Sequence, residues 1–360
     1  VKKKAKEEPA SGLAGGPVGA LGEFGLIRGL VGELGDAAAE ILLPEGDDAA
    51  VWDPGGPALV TTDALTEGVH FRADWTSPED LGFKAISVNV SDIAAMGGRP
   101  SLALVALGTG ADTKAKWAAG LYRGLADACR HYGLKIGGGD TFRMEKVTIV
   151  ITALGVPPPG GPVGRSGASE GDILYVTGEL GEAAAGLAYL KARQLEGRLK
   201  GKTRKSGRGK VEEEMAGAVS RFLRPVARVA EGEAAAAAGA SAMIDISDGL
   251  AGDAGHLGSA SGVGVVIHAA ALPIGGGALT AERMLGETPK RLALSGGEDY
   301  ELLISVPPGK SKELESAVAS TGTKITAVGE VVAVESGCKL ENEGATMDLS
   351  GLGGYDHFKV

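Results

Sequence analysis

The chain reads as an α/β protein built in two halves, and three observations predict this. At 360 residues it is long for one hydrophobic core, so two domains are expected. Pro157-Pro158-Pro159-Gly160-Gly161-Pro162 has the composition of a linker. On both sides of it an apolar strand runs into a glycine-and-acid turn and then a helix, the pattern of similarly built α/β halves.

Taken in order, residues 1–21 are charged and then rich in Gly, Pro and Ala, and read as a flexible tail. Residues 22–157 form the expected N-terminal domain. Phe24, Ile27, Leu30, Val31 and Leu34 recur at helical spacing. Ala49–Trp52 and Ala58–Thr62 read as short strands. Ser77-Pro78-Glu79-Asp80 offers an N-cap, a proline at the first helical position and acids in the first turn, so a helix is expected from there towards Met96. A second helix is expected over Lys114–Tyr132, then a strand Leu134–Ile136 entering a glycine triplet, then a β-branched strand Val147–Val156. Residues 158–360 form the expected C-terminal domain. It opens with a strand at Asp172–Gly178 and an Ala/Leu-rich helix, and strands are expected at Ala242–Ile244 and Leu292–Leu294. Between Lys191 and Lys210 lie 9 basic residues against one acid, which reads as a solvated insertion.

The bulk properties exclude several functions. A formal net charge of -10 supplies no positive field for a polyanion, so nucleic acid is not expected as a partner. No run of eighteen apolar residues occurs, and the 2 cysteines, Cys129 and Cys338, have no metal-ligand spacing. A cytoplasmic location without membrane attachment is the expectation. Gly309-Lys310-Ser311 resembles the end of a P-loop, but Ile304 stands where its first glycine belongs. Counted as a calcium loop from Asp245, the sixth and twelfth positions are Leu250 and His256 rather than Gly and Glu.

Carboxylates carry the remaining chemistry. Gly46-Asp47-Asp48, Thr61-Thr62-Asp63, Ser91-Asp92, Gly137-Gly138-Gly139-Asp140 and Asp245-Ile246-Ser247-Asp248-Gly249 each follow or interrupt an apolar stretch, where an ionised group needs compensation. Converging, they would make an oxygen-rich cage for several Mg2+ ions, and Mg2+ implies phosphate. The competing reading is turn and cap chemistry, which also favours aspartate. An acid-rich, glycine-lined site without a nucleophile suits phosphoryl transfer, which needs positioning and charge neutralisation more than a covalent intermediate.

These segments, together with Ala64-Leu65-Thr66-Glu67-Gly68-Val69-His70-Phe71, Gly164-Arg165-Ser166-Gly167-Ala168, Gly296-Gly297-Glu298-Asp299-Tyr300-Glu301-Leu302 and the terminal Gly354-Tyr355-Asp356-His357-Phe358, resemble the thiamine-monophosphate kinase family in order and spacing from about residue 22 onward. The resemblance implies a two-domain PurM-like fold, shared with aminoimidazole ribonucleotide synthetase, with an N-terminal mixed sheet that pairs across a homodimer and a C-terminal α/β sandwich. It implies ATP-dependent phosphorylation of thiamine monophosphate to thiamine diphosphate, with Mg2+. By the same resemblance Asp48, Thr61, Thr62, Asp63, Asp92, Asp140, Asp245 and Asp248 are metal positions. Gly139, Asp140, Arg165 and Ser247 contact ATP, and His70, Glu298 and Tyr355 lie on the substrate side. Tyr355 stands where Trp or Phe is more usual. The alternatives are another ATP-dependent synthase of the same fold and an inactive nucleotide-binding homologue.

Overall fold

The structure, a computed structural model, describes residues 29–30, 33, 41–43, 51–52, 55–199 and 208–352. Of these, the residues up to Asn89 together with Pro100–Val156 form one compact unit, and Val90–Arg99 with the residues from Pro157 onward form a second. Most of the helix expected over 24–34, as well as Asp48 and Tyr355, lies outside the described residues.

The first unit contains β1 (Ile41–Leu43), β2 (Val51–Trp52), β3 (Leu59–Thr66), α1 (Pro78–Ala95, whose residues from Val90 belong to the second unit), β4 (Arg99–Thr109), α2 (Ala115–Tyr132), β5 (Lys135–Arg143) and β6 (Thr148–Val156). Its sheet has the order β3-β6-β4-β5. β3 is antiparallel to β6, with Asp63 opposite Ile151, whereas β4 and β5 are parallel and joined through α2, because parallel neighbours need a crossover. The sheet is therefore mixed, as expected. Along β6, Ile149, Ile151 and Ala153 are buried, and Val150, Thr152 and Leu154 are only half-buried. The expected start of α1 is realised: Asp80 N–H donates to Ser77 Oγ at 3.1 Å, and the hydroxyl donates to the Asp80 carboxylate at 2.7 Å. α2 ends at Gly133, whose φ is 74° and whose N–H reaches the Cys129 carbonyl.

The glycine triplet is not the turn that its composition suggests. Gly137–Asp140 continue β5 as strand, since the parallel pairing with β4 brings the backbones so close that a Cβ on Gly139 would overlap the Val105 carbonyl oxygen.

The second unit contains β7 (Ile173–Thr177), α3 (Glu182–Leu199), α4 (Arg208–Leu223), α5 (Val229–Ala238), β8 (Ala242–Ile246), α6 (Leu250–Ser261), β9 (Gly264–His268), α7 (Gly276–Leu285), α8 (Pro289–Ser295), β10 (Glu301–Val306), α9 (Ser311–Ala319), β11 (Ile325–Val332), β12 (Cys338–Asn342) and β13 (Ala345–Asp348). Its sheet has the order β13-β12-β9-β11-β7-β10-β8. Both faces are covered. Leu174, Val176, Ile244, Ile246 and Leu303 pack with Leu250, Ala254 and Leu257 of α6, while Tyr175, Met243, Leu302 and Ile304 pack with Ala235 of α5 and Leu314 and Val318 of α9. Helices on both faces explain why β8 and β10 are buried along their whole length.

One local expectation is corrected. Leu292–Leu294 lie in α8, because Pro289 at the first helical position starts a helix and the strand follows only at β10. The basic stretch from Lys191 begins as helix, since α3 runs to Leu199, and α4 starts at Arg208.

Candidate functional site

In the second unit two loops and a helix end come together. β8 delivers Asp245 near its C-terminal end, Ser247–Gly249 turn the chain, and α6 begins at Leu250. Opposite, Gly296–Tyr300 link α8 to β10. The loops lie backbone to backbone: Glu298 N–H donates to the Ser247 carbonyl at 2.7 Å and Tyr300 N–H to the Ile246 carbonyl at 2.9 Å. Only glycine allows this approach at 249 and 297, which have φ of 108° and 68° and face the Leu294 and Ser247 carbonyls. Ser247, from the expected ATP side, and Glu298, from the expected substrate side, are thus neighbours.

Carboxylates crowd the same place. Asp245 is buried and accepts a 2.7 Å hydrogen bond from Ser91 Oγ, which sits beside Asp92 in the last turns of α1. Asp253, in the first turn of α6, is buried and accepts the Asp248 N–H at 3.2 Å. Burial pushes its carboxyl up to about 8, and the like charges of Asp245 and Asp248 add to that, against the opposing pull of the Asp248 and Ser247 amides. Asp253 was not anticipated from sequence, although an acid in the first turn of a helix directly after an Asp-rich turn is a usable signal.

This donor set, oxygen-only and mutually repulsive, suits a hard cation such as Mg2+. Among the described residues, however, no group of three or more His, Cys, Asp or Glu side chains is gathered closely enough to hold a metal ion. Of the expected metal positions, Asp63 and Asp140 belong to the first unit and Asp92, Asp245 and Asp248 to the second, and Asp48 lies outside the described residues. One Mg2+ takes one or two carboxylates and keeps its waters, so a smaller donor set can still serve it.

In the first unit, Asp63 lies on β3 and Asp140 on β5, the two edge strands. Three inter-strand steps separate them, about 14 Å across the sheet. Both residues are exposed. Thr61 shares a sheet face with Asp63, but Thr62 points to the other face, where its hydroxyl donates to the Ile151 carbonyl at 3.0 Å. Alternation along the strand thus parts the exposed Thr62 side chain from those of its two neighbours. His70 sits in a tight loop after β3, its Nδ1 accepting the Thr66 N–H at 3.0 Å. In the neutral ring this leaves the proton on Nε2 as a donor.

Arg165 is exposed and lies in the segment that covers the open edge of β8, where Met243 N–H reaches the Gly164 carbonyl at 2.9 Å. Ser261 Oγ pins this segment, donating to the Arg165 carbonyl at 3.0 Å and accepting the Gly167 and Ala168 N–H groups at 3.2 Å each.

The sequence matches the family model of AIR synthase related protein, N-terminal domain, over residues 46–157, and that of the C-terminal domain over residues 169–338. A thiamine-monophosphate kinase of Mycobacterium tuberculosis is 41% identical over 285 residues, 79% of this chain and 80% of that one. Among solved structures, the thiamine-monophosphate kinase of Stenotrophomonas maltophilia K279a aligns with a TM-score of 0.75 at 31% identity, covering 89% of this chain and 96% of that one. AaThiL complexed with AMPPCP and TMP aligns with a TM-score of 0.70 at 33% identity, covering 94% and 98%. The fold, the paired acidic loops and this similarity over most of both chains lead to one conclusion: the chain belongs to the thiamine-monophosphate kinase family.

Proposed function

We propose that the chain transfers the γ-phosphoryl group of ATP onto the phosphate of thiamine monophosphate, giving thiamine diphosphate and ADP. Alongside family membership, the observation that carries this reading is the pairing of the Asp245–Gly249 and Gly296–Tyr300 loops, which sets Asp245, Ser247, Asp248 and Glu298 side by side. The acceptor phosphate is already an anion at neutral pH, so the protein need not supply a general base. It must hold two anions in line and offset their repulsion.

Asp245 and Asp248, with Asp92 beside Ser91, are proposed to hold Mg2+. Asp48, Thr61, Thr62, Asp63 and Asp140 are retained as metal-side positions on the strength of the resemblance; donating to the Ile151 carbonyl leaves the Thr62 hydroxyl oxygen its lone pairs. When bound, the ions supply charge neutralisation and orientation for the phosphates. Gly139, Asp140, Arg165 and Ser247 are assigned to ATP, where the Arg165 guanidinium offers a planar fork for phosphate oxygens. His70, Glu298 and Tyr355 are assigned to the acceptor. The Glu298 carboxylate suits the amine of the aminopyrimidine, and Tyr355 offers a ring for stacking.

A homodimer formed through the first unit's sheet is part of the proposal. On its less buried face Val60, Leu104 and Phe142 are 65%, 38% and 40% exposed, an apolar set better covered by a second copy than by water. A cytoplasmic location is also part of the proposal; among the described residues no helix is long and apolar enough to cross a membrane.

The test is direct. Purified protein with ATP, Mg2+ and thiamine monophosphate should yield ADP and thiamine diphosphate in equal amounts. Absence of turnover with this acceptor, alongside ADP formation on an aminoimidazole precursor, would move the chain to another activity of the same fold.

A further inference from the structure

The loop that carries Glu298 adopts a backbone that L-residues avoid, and two buried carboxylates with no part in the chemistry above hold it there. Glu298 and Tyr300 have φ of 62° and 51°, the left-handed region in which a Cβ is crowded. Their N–H groups are bound by Ser247 and Ile246, but the side chains between and after them make the longer-range anchors. Asp299 is buried and accepts the Gly181 N–H at 2.8 Å on Oδ2 and the Ala183 N–H at 3.2 Å on Oδ1. It therefore caps α3 from 118 residues away, tying the helix start to the loop. Glu301 is 1% exposed. Its Oε2 accepts Thr177 Oγ1 at 2.7 Å and Arg228 Nε at 2.6 Å, while Arg228 Nη2 bonds Oε1. The Thr177 hydroxyl also accepts the Leu302 N–H at 2.8 Å. Asp299 and Glu301, on either side of Tyr300, are thus clamped to α3, to β7 and to the start of α5, while Glu298 is half-buried and its N–H lies on the Ser247 carbonyl.

We propose that Asp299 and Glu301 are positioning residues for the acceptor: by clamping the left-handed backbone on either side of Tyr300, they fix where the Glu298 carboxylate meets the amine-bearing part of the phosphorylated substrate. The proposal deepens the assignment of Glu298 to the substrate and rests on it. The clamp acts through geometry, so its loss should weaken acceptor binding selectively, whereas a clamp serving only the fold would alter stability and leave both Michaelis constants alone.

Steady-state kinetics on the full chain would compare Asp299→Asn, Glu298→Gln and the double variant, varying ATP and thiamine monophosphate separately. Asp299→Asn keeps the side-chain size and one acceptor oxygen. The expected result is a roughly tenfold rise in KM for thiamine monophosphate, a KM for ATP within about twofold of the parent, and no further rise when the change is added to Glu298→Gln. Thr177→Val, which removes one donor from Glu301, should raise the same constant by a smaller factor, and it keeps the test open if Asp299→Asn does not fold. Lower thermal stability with both constants unchanged, or equal rises in both, overturns the proposal. If Glu298→Gln raises the acceptor KM and the clamp variants do not, the positioning role alone fails. If Glu298→Gln leaves that constant unchanged, the substrate assignment fails and the proposal with it.

Discussion

Single carboxylates in this chain do different work according to burial. Asp63 and Asp140 are exposed on edge strands, so replacing either by Asn should leave stability within about 0.5 kcal/mol of the parent. Turnover should nevertheless fall on the order of a hundredfold, about 3 kcal/mol at the transition state, if each supports a metal contact. Single-turnover ADP formation checks this, and parent-like rates in ordinary Mg2+ would remove both from the metal set. Asp299 is the opposite case. Burial pushes its carboxyl up to about 7, the Gly181 and Ala183 amides pull it back, and the charge of Glu301 adds to the rise. The unfolded chain releases this proton near the ordinary value of 3.8, while the folded chain keeps it until about 7. Above 3.8 the unfolded state therefore binds fewer protons, and Asp299's contribution to stability falls as pH rises across that window. Urea denaturation at pH 5 and pH 7 should show a smaller difference in Asp299→Asn than in the parent. An unchanged difference would mean that Asp299 is ionised throughout.

At the scale of elements, the second unit is held at one point by a buried ion pair. Arg228, at the start of α5, forks onto Glu301, with Glu231, Thr321 and Thr323 completing the network. Arg228→Met would leave the Glu301 charge buried without its main partner and should destabilise the chain by about 3–5 kcal/mol in urea unfolding. A loss under 1 kcal/mol would indicate that Arg221, 3.8 Å from Glu301, takes over. Helix starts were legible in sequence where the chemistry is local: Ser77-Pro78 begins α1 because its cap lies three residues from its partner. The start of α3 was not, because its cap is Asp299, far along the chain. Leu292–Leu294 misled for a related reason, as an apolar triplet fits strand and buried helix equally and Pro289 had to be weighed with it.

For the molecule as a whole, the apolar face of the first unit's sheet predicts self-association. Leu104→Glu with Val60→Glu should convert dimer to monomer by light scattering at micromolar concentration while leaving the isolated fold intact; a parent chain that is monomeric would remove the sheet face from the proposal. The two-half α/β organisation, most elements and the identity of the acidic loops were readable from sequence, because hydrophobic period, caps and glycine–acid runs are local properties. The family was readable too, from motifs whose order and spacing survive without coordinates. Tertiary structure alone decided which acids become neighbours. It set Asp245 and Asp248 beside the unforeseen Asp253, parted Asp63 from Asp140 by the width of a sheet, turned the Thr62 hydroxyl into a strand contact and made Asp299 the cap of a remote helix. Such pairings depend on strand order and on which face a side chain takes, and no short window of residues encodes either.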